Sequence, residues 1–335
     1  MKYSLLLLAL SATLHAEEGM WTFNNFPAAK VKQAYGFEPD AKWLENVRLS
    51  ALRYGNGCSA SFVSANGLVM TNHHCASGCI EALSTKESDY LTNGFQAKTG
   101  AEEKRCPGLE VSQLVEITDV TARINADSKN SKEGEFVKAV DASKARISKE
   151  CATSENVHCE VVTLYSGGRY DLYKYRRYQE VRLVFAPEKA IAFFGGDPDN
   201  FMFPRYDLDV SFLRAYENGS PVKPSNYFKW TREPAKEGTA TFIIGNPGST
   251  DREHTTAELE FERDVNLPSF IAYLSELRGT LAQFQTKGLE QKRISEGQLF
   301  GVENSLKAIK GMHQALLDKS GFRASRPWNE PSGTR

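Results

Sequence analysis

Apolar and polar positions alternate along several stretches between residues 60 and 216, and a period of two predicts β-strands. The stretches with strand character are 60–63, 68–70, 109–117, 160–164, 172–185 and 209–216. Asn66-Gly67 separates the first two, and this dipeptide is the strongest short-range signal of a β-hairpin. The run 241–245, with Phe242, Ile243 and Ile244 in succession, predicts a further, buried strand. This part of the chain should therefore be mainly β-structure.

Two later segments have a helical period instead. Residues 121–149 are mostly polar, with apolar residues at helical spacing at Phe136, Val137, Val140 and Ile147. After residue 258, apolar residues recur every three or four positions. They are Phe270, Leu274, Leu277, Leu281 and Phe284, then Val302, Leu306, Ile309, Met312 and Leu316. The first segment predicts a helical insertion between strands, and the second predicts two antiparallel helices joined near Gly288 and Gly297.

The first 16 residues predict a secretory signal peptide. Lys2 supplies the positive charge, residues 5–10 the apolar core, and residues 14–16 a cleavage site before Glu17. A membrane anchor is the alternative, but the apolar run is far shorter than the ~20 residues that a span needs. We expect the protein to be periplasmic or secreted, with no membrane span.

The overall charge excludes one class of partner. The chain has 335 residues, a formal net charge of -1 and 25% charged residues. No chain-wide field therefore favours nucleic acid or an acidic membrane surface, and we expect no nucleic-acid partner.

The six cysteines are an even number in a chain that should be exported, which predicts disulfides. Six cysteines allow many connectivities, and proximity in the sequence favours Cys58–Cys75, Cys79–Cys106 and Cys151–Cys159. The alternative is a zinc site built from Cys58, His73, Cys75 and Cys79, although this set lacks a C-x2-C knuckle.

His74 is the candidate general base, because a hairpin clamped by a Cys58–Cys75 disulfide would give its ring a rigid, partly exposed position. Such a base needs an orienting carboxylate, and the candidate is Asp209, at the start of a predicted strand. Asp207 has the same strand parity and stays an alternative. A second alternative is that Asp209 only caps the preceding turn.

Several motifs together resemble one peptidase family. They are Glu18-Gly19-Met20-Trp21, His73-His74-Cys75, Gly195-Gly196-Asp197-Pro198-Asp199-Asn200, Pro204-Arg205 and Asp209-Val210-Ser211-Phe212-Leu213-Arg214. The His-Cys pair resembles the base-bearing loop of trypsin-like serine peptidases. The fuller pattern resembles the bacterial dipeptidyl-peptidase 7 and 11 family of exported serine exopeptidases, which release dipeptides from free N-termini.

The resemblance implies roles for individual residues. His74, which directly precedes the cysteine and is therefore preferred over His73, would be the general base, and Asp209 would be its orienting acid. Asn200, Phe201 and Asn304 would bind the substrate's N-terminus, although Asn304 could equally be a solvent-facing helix residue. The expected partners are peptides with a free N-terminus, and the full-length family implies a homodimer. We expect neither a cofactor nor a metal.

The implied fold is mainly β with an α-helical insertion. After the signal peptide at 1–16, a trypsin-like β-barrel would occupy 17–190, with the insertion at about 121–150. The start of a second barrel would occupy 191–257, an incomplete helical domain 258–323, and an irregular tail 324–335.

One part of the family's pattern is missing from this sequence. A trypsin-like peptidase carries its nucleophile in a Gly-x-Ser-Gly turn, and the 335 residues contain none. The nearest segment, 245–250, has Pro247 in place of an N–H donor and is not the nucleophile in the family. We expect an N-terminal portion that is inactive alone. The alternatives are a non-catalytic peptide-binding relative and a trypsin-like endopeptidase.

Overall fold

The computed structural model describes residues 20–55, 57–85, 87–132, 134–192, 199–246 and 254–318, apart from the side chain of Arg293. Over these residues the chain is a mixed α/β structure built on a large antiparallel sheet. Several predictions concern residues outside the described ones: the signal peptide at 1–16, most of the Gly-Asp-Pro turn at 195–200, the segment 247–250 and the tail at 324–335.

Eleven strands form this sheet within the described ranges. They are β1 (Ala51–Tyr54), β2 (Cys58–Phe62), β3 (Leu68–Thr71), β4 (Phe95–Gln96), β5 (Lys104–Arg105), β6 (Val111–Asp119), β7 (Val157–Leu164), β8 (Arg169–Tyr178), β9 (Glu180–Ala186), β10 (Ser211–Glu217) and β11 (Ser220–Pro221). Their order is β4-β9-β10-β3-β2-β1-β6-β8-β7, with β5 beside β9 and β11 beside β10. The predicted β-rich character of this region is therefore confirmed.

The hairpin predicted from Asn66-Gly67 is confirmed. β2 and β3 pair antiparallel with Phe62 opposite Val69, and the turn is closed by the Val63 N–H to Leu68 carbonyl bond of 2.8 Å. Gly67 has a φ of 67°, and a Cβ there would lie 2.8 Å from Val222. This position therefore needs glycine for both its conformation and its space.

The strand predicted over 172–185 is two strands in the structure, and the break at Gln179 changes their partners. Tyr178 in β8 lies opposite Val111 of β6, whereas Glu180 in β9 lies opposite Tyr216 of β10. β8 and β9 are thus consecutive in the chain but lie at different places in the sheet order, β8 beside β6 and β9 beside β10. These strands share one buried cluster with a helix, formed by Leu52, Phe62, Val69, Ile80, Val111, Val181, Leu183 and Leu213.

The helices in the described ranges are α1 (Ala28–Tyr35), α2 (Ala41–Ser50), α3 (His73–Leu83), α4 (Tyr90–Asn93), α5 (Thr121–Ser128), α6 (Phe136–Cys151), α7 (Thr256–Phe261), α8 (Leu267–Gln285) and α9 (Leu289–Leu317). Short 3₁₀ turns occupy Phe23–Asn25 and Tyr165–Gly167, and a π turn, Glu262–Asn266, joins α7 to α8. None of the described helices combines the length and apolar character that a membrane crossing requires.

The polar segment between β6 and β7 is helical, as predicted, and consists of α5 and α6. Its small core joins Val140 and Ile147 to Ile124 of α5. Phe136 and Val137 were predicted to be apolar points of this helix face, but they are 53% and 68% exposed. Both belong to the first turn of α6, and the buried face of the helix begins only at Val140.

The two antiparallel helices predicted near the end of the chain are α8 and α9, which share a core of Leu274, Leu281, Val302 and Leu306. Two details of the prediction were wrong. Phe270 and Met312, expected on the packed face, are 45% and 55% exposed. Gly297 lies inside α9, so Gly288 alone marks the join.

The buried strand predicted over 241–245 is also wrong. These residues belong to no strand in the described part of the chain, and Ile243 is fully exposed. Phe242 instead contacts the rings of Phe26, Phe37 and Trp43, with centroids 4.9 to 6.1 Å apart. Aromatic packing on one side therefore replaces burial on both sides.

Candidate active site

His74 lies at the start of α3, directly after the hairpin. Asn72 is the N-cap residue, and His74 is the second residue of the helix. A disulfide joins Cys58, the first residue of β2, to Cys75, with 6.2 Å between their Cα atoms. The helix start is thus covalently tied to the base of the hairpin. The His74 side chain is 34% exposed, so it combines rigid support with access to solvent.

The three cysteine pairs favoured by sequence proximity are confirmed as Cys58–Cys75, Cys79–Cys106 and Cys151–Cys159. The zinc alternative relied on sulphur atoms that all lie in disulfides. Cys58, His74 and Cys75 do place their ligand atoms within 4.8 Å of one another, but two of these atoms are the bonded sulphurs of one disulfide. These cysteines brace the histidine and offer no thiolate to a metal.

Strand register carries Asp209 to this helix start. Ser211, the first residue of β10, lies opposite Thr71, the last residue of β3. Because the strands are antiparallel, residues before Ser211 run alongside residues after Thr71. The same alignment, continued for two residues, places Asp209 beside the first turn of α3. The sheet therefore joins two residues that are separated by 135 positions.

Two hydrogen bonds connect His74 to Asp209. The ring Nδ1 lies 2.7 Å from Oδ2, and the backbone N–H of His74 donates to Oδ1 at 3.0 Å. Asn72 adds a third, from Nδ2 to Oδ2 at 3.0 Å. An ionised carboxylate can only accept, so Nδ1 carries the proton and Nε2 carries the basic lone pair. This is the tautomer that a general base needs.

The environment of Asp209 keeps its carboxylate ionised. Burial of the side chain opposes ionisation, but the hydrogen bonds from the His74 ring, the His74 backbone and Asn72 outweigh it. The pKa of Asp209 is accordingly below its ordinary value of 3.8. Stabilisation of the charged form by donors is the usual cause of such a shift.

The lowered pKa of Asp209 predicts a specific dependence of stability on pH. A carboxyl whose pKa is lower in the folded state stabilises the protein above its unfolded pKa and loses that effect as the pH falls through the folded value. Asp209→Asn should therefore lower the free energy of unfolding by about 1–3 kcal/mol above pH ~5. The difference from the unchanged chain should shrink below pH 3.8.

Urea unfolding from pH 3 to 8 would measure this difference. Asp141→Asn is the matched control. Its carboxylate is 66% exposed, and its ion pair with Lys144 is long at 4.0 Å and therefore weak. A penalty for Asp209→Asn that stays constant down to pH 3 would contradict the prediction.

The structure also shows where the alternative residues lie. His73, one residue earlier, is only 3% exposed, and its Nε2 has no hydrogen-bond partner in the described ranges. Burial lowers the pKa of His73. Asp207 pairs with Arg205, whose Nη2 lies 2.9 Å from Oδ2. The carboxylate that receives the His74 Nδ1 bond is that of Asp209.

Asn200 and Asn304 meet although they are 104 positions apart. Asn200 is fully buried, and its Nδ2 donates to Oδ1 of Asn304 on α9 at 2.9 Å. Arg205 holds the other end of this amide, since its Nη1 donates to Asn200 Oδ1 at 3.0 Å. Asn304 is thus half-buried and paired, in contrast to the solvent-facing alternative.

Phe201 follows Asn200 directly and has an unusual backbone. Its φ is 60°, in the left-handed region that non-glycine residues seldom adopt, and its ring is 59% exposed. Phe203 and Tyr206 in the same segment are 97% and 90% exposed. Strained residues of this kind concentrate at ligand-contacting sites.

Sequence reasoning missed two contributors to these clusters. Asn72 bonds both the carboxylate and the backbone carbonyl of Asp209, at 3.0 and 3.2 Å. Arg205 orients Asn200. Both residues lie within or beside the motifs quoted above, but only the three-dimensional contact reveals what each one holds.

These observations define a class of protein. A histidine whose Nδ1 proton is held by a partly buried carboxylate, at a helix start that a disulfide ties to a β-hairpin, has the geometry of the acid–base pair of serine peptidases. The family model of Peptidase S46 matches residues 16–329, and the chain belongs to this family.

Two similar proteins with known names support the assignment to this family. The chain is 35% identical over 274 residues to dipeptidyl-peptidase 7 of Porphyromonas endodontalis, which covers 76% of this chain and 34% of the relative. It is 30% identical to the Asp/Glu-specific dipeptidyl-peptidase of Shewanella putrefaciens, covering 96% of this chain and 46% of the relative. The chain therefore spans less than half the length of these relatives.

Solved structures resemble the fold as well. DPP11 of Porphyromonas endodontalis in complex with substrate superposes with a TM-score of 0.80 at 26% identity, over 92% of this chain and 48% of that one. The same protein in complex with the dipeptide Arg-Glu gives a TM-score of 0.79 with the same coverage and identity.

Proposed function

We propose that this chain is the base-bearing part of an exported serine-type dipeptidyl aminopeptidase, which releases dipeptides from the free N-termini of peptides. The observation that carries the proposal is the 2.7 Å contact between His74 Nδ1 and Asp209 Oδ2. The relatives' names support the reaction class, because both are dipeptidyl-peptidases.

The proposed mechanism follows from the tautomer of His74. With Nδ1–H held by Asp209, Nε2 can accept the proton of a serine hydroxyl as that oxygen attacks the scissile carbonyl. The imidazolium that forms is stabilised by the ionised Asp209, and it then donates its proton to the leaving amine. The low pKa of Asp209 supports this role, because the carboxylate stays charged while the ring cycles.

The fold we propose for the base-bearing part is a trypsin-like β-barrel. Support comes from the run of pairings β10-β3-β2-β1-β6-β8, whose last strand continues through Gln179 into β9, the other partner of β10. A barrel places the inward side chains of its strands in one core, and these strands share the buried cluster that includes Phe62 and Leu213. We propose that the helical pair belongs to a further domain.

The exopeptidase part of the proposal rests on Asn200, Phe201 and Asn304. A substrate ammonium loses water on binding and must be fully paired, so buried amide oxygens are suitable acceptors. The Asn200–Asn304 pair provides such oxygens where α9 meets the segment between β9 and β10. The exposed ring of Phe201 beside it would cover the substrate's first residue. The related DPP11 structure in complex with the dipeptide Arg-Glu supports dipeptide binding as the task of such a site.

Export to the periplasm or the medium is also proposed. The three disulfides support it, because such bonds persist in oxidising compartments. The homodimer implied by the resemblance stays a prediction.

The proposal can be tested with fluorogenic dipeptidyl substrates whose α-amine is free or acetylated. The 335-residue chain alone should release nothing, because it contains no Gly-x-Ser-Gly. A complex with the serine-bearing segment of the Shewanella relative should cleave only the free-amine substrate. Asn304→Ala should lower kcat/KM for that substrate by about 10- to 100-fold, the worth of a lost charged hydrogen bond.

Asn226→Ala is the matched control, since Asn226 bonds Asn46 at 3.0 Å in a similar amide pair elsewhere. Equal cleavage of the acetylated substrate would favour the endopeptidase alternative. Peptide binding with no turnover in the complex would favour a non-catalytic relative.

A further inference from the structure

An ion pair joins α9 to the segment that follows β9. Lys189 Nζ lies 3.0 Å from Glu296 Oε1, with side-chain exposures of 30% and 48%. Glu296 and Asn304 lie on the same helix, about two turns or ~12 Å apart. The helix that brings Asn304 to Asn200 is thus held at a second point by Lys189.

The backbone that carries Lys189 is fixed by neighbouring elements. The Lys189 N–H donates to the Leu91 carbonyl of α4 at 3.1 Å. Gly94, with a φ of 76°, packs so closely that a Cβ there would lie 2.9 Å from the Ala186 carbonyl oxygen. The backbone at Lys189 is therefore held in place by α4 and by the close packing at Gly94.

The same segment also contacts the residue that precedes Asp209, the acid of the His74–Asp209 dyad. The N–H of Leu208 donates to the carbonyl of Ile191 at 2.9 Å, and Asp209 is the next residue. One short stretch, residues 189–191, therefore contacts both α9 and the segment that leads into Asp209. This stretch is thus a physical connection between α9, which carries Asn304, and the segment that carries Asp209.

We propose that Lys189 and Glu296 are positioning residues, whose ion pair holds α9 so that Asn304 meets Asn200 at a set distance from His74. The inference rests on the proposed function, because it assigns these two residues to amine recognition. Neither side chain touches the Asn200–Asn304 pair directly. Their effect is exerted through the helix and the segment that carry the two amides.

The test measures the Asn200–Asn304 contact in the 335-residue chain, without substrate. With selective ¹⁵N-asparagine labelling, exchange of the buried Asn200 side-chain amide protons with water reports how often the contact opens. Lys189→Met and Glu296→Gln should each speed this exchange by about fivefold, the upper range for a partly exposed ion pair. Lys189→Arg keeps the positive charge and should leave the exchange as slow as in the unchanged chain. The double variant Lys189→Met/Glu296→Gln should exchange as fast as either single variant, because both remove the same ion pair.

Arg278→Met is the matched control. Arg278 pairs with Glu303 at 2.9 Å, beside Asn304 in sequence, but this pair lies within the helical pair itself. It should leave the exchange rate unchanged. Unchanged exchange in both single variants, or equal acceleration by Arg278→Met, would overturn the proposal. Lys189 and Glu296 are partly exposed, and circular dichroism will show that the variants are folded.

A second measurement uses the complex with the serine-bearing segment. Lys189→Met should raise KM for a free-amine dipeptidyl substrate by about fivefold and change kcat by less than about twofold. A fall in kcat with KM unchanged would overturn the positioning role. If that complex is inactive, the proposed function fails, while the exchange measurement still decides this inference.

Discussion

His74→Ala should lower kcat by about 10⁶-fold when this chain is complemented with a serine-bearing segment. The expectation follows from the position of the ring, since Nδ1 is bound to Asp209 and Nε2 is left as the base. Without it, no group in the dyad can take the serine proton, and only binding and the oxyanion site would still contribute. Release of a coumarin leaving group under saturating substrate would measure the loss.

Asp209→Asn should have a smaller effect, of about 10⁴-fold on kcat. An amide can donate to Nδ1, and that would place the ring proton on Nε2, the wrong nitrogen for a base. KM should change little, because Asp209 binds the histidine and not the substrate. His158→Ala is the control, since that ring is 48% exposed and lies on β7. Equal losses for His158→Ala and His74→Ala would contradict the assignment.

Local features of this fold could be predicted from the sequence. The hairpin follows from Asn66-Gly67 between two apolar runs, and all three disulfides join cysteines that are near neighbours in the chain. The helix pair follows from its period of three and four. In each case the deciding interaction lies within about 30 residues, so the pattern and the contact occupy the same stretch.

Features that depend on distant partners were predicted less well. The run 241–245 has the composition of a buried strand, but its environment is set by aromatic rings that lie some 200 residues earlier in the chain. Exposure of Phe270 and Met312 likewise depends on which neighbours α8 and α9 have, and a helical period does not encode that.

The dyad lies between these two cases. Residue types and strand positions indicated His74 and Asp209 as candidates, and the family resemblance gave them roles. Asp207 and His73, however, are residues of the same two types within two positions of these candidates. Register decides between them, because Ser211 pairs with Thr71 and the two flanking segments then run side by side. Asn72 was missed because its partner is 137 positions away and an asparagine before a helix is usually just a cap.

The double variant Cys58→Ser/Cys75→Ser should lower the free energy of unfolding by about 3 kcal/mol, the chain-entropy value for a loop of this size. It should also weaken the dyad, because the disulfide ties the first turn of α3 to β2 and so holds His74 beside Asp209. The stability penalty of Asp209→Asn at pH 7 should therefore become smaller in this background. Urea unfolding of the four chains in a double-mutant cycle measures that coupling.

Cys151→Ser/Cys159→Ser provides the matched background. This disulfide spans only 8 positions and joins α6 to β7 in the helical insertion. Its loss should cost about 2.6 kcal/mol by the same model, and the Asp209→Asn penalty should be unchanged there, because distant sites add independently. If the penalty of Asp209→Asn is the same in both backgrounds, the Cys58–Cys75 disulfide stabilises the fold without orienting the base. A reduced penalty only where Cys58 and Cys75 are replaced assigns that disulfide to the geometry of the dyad.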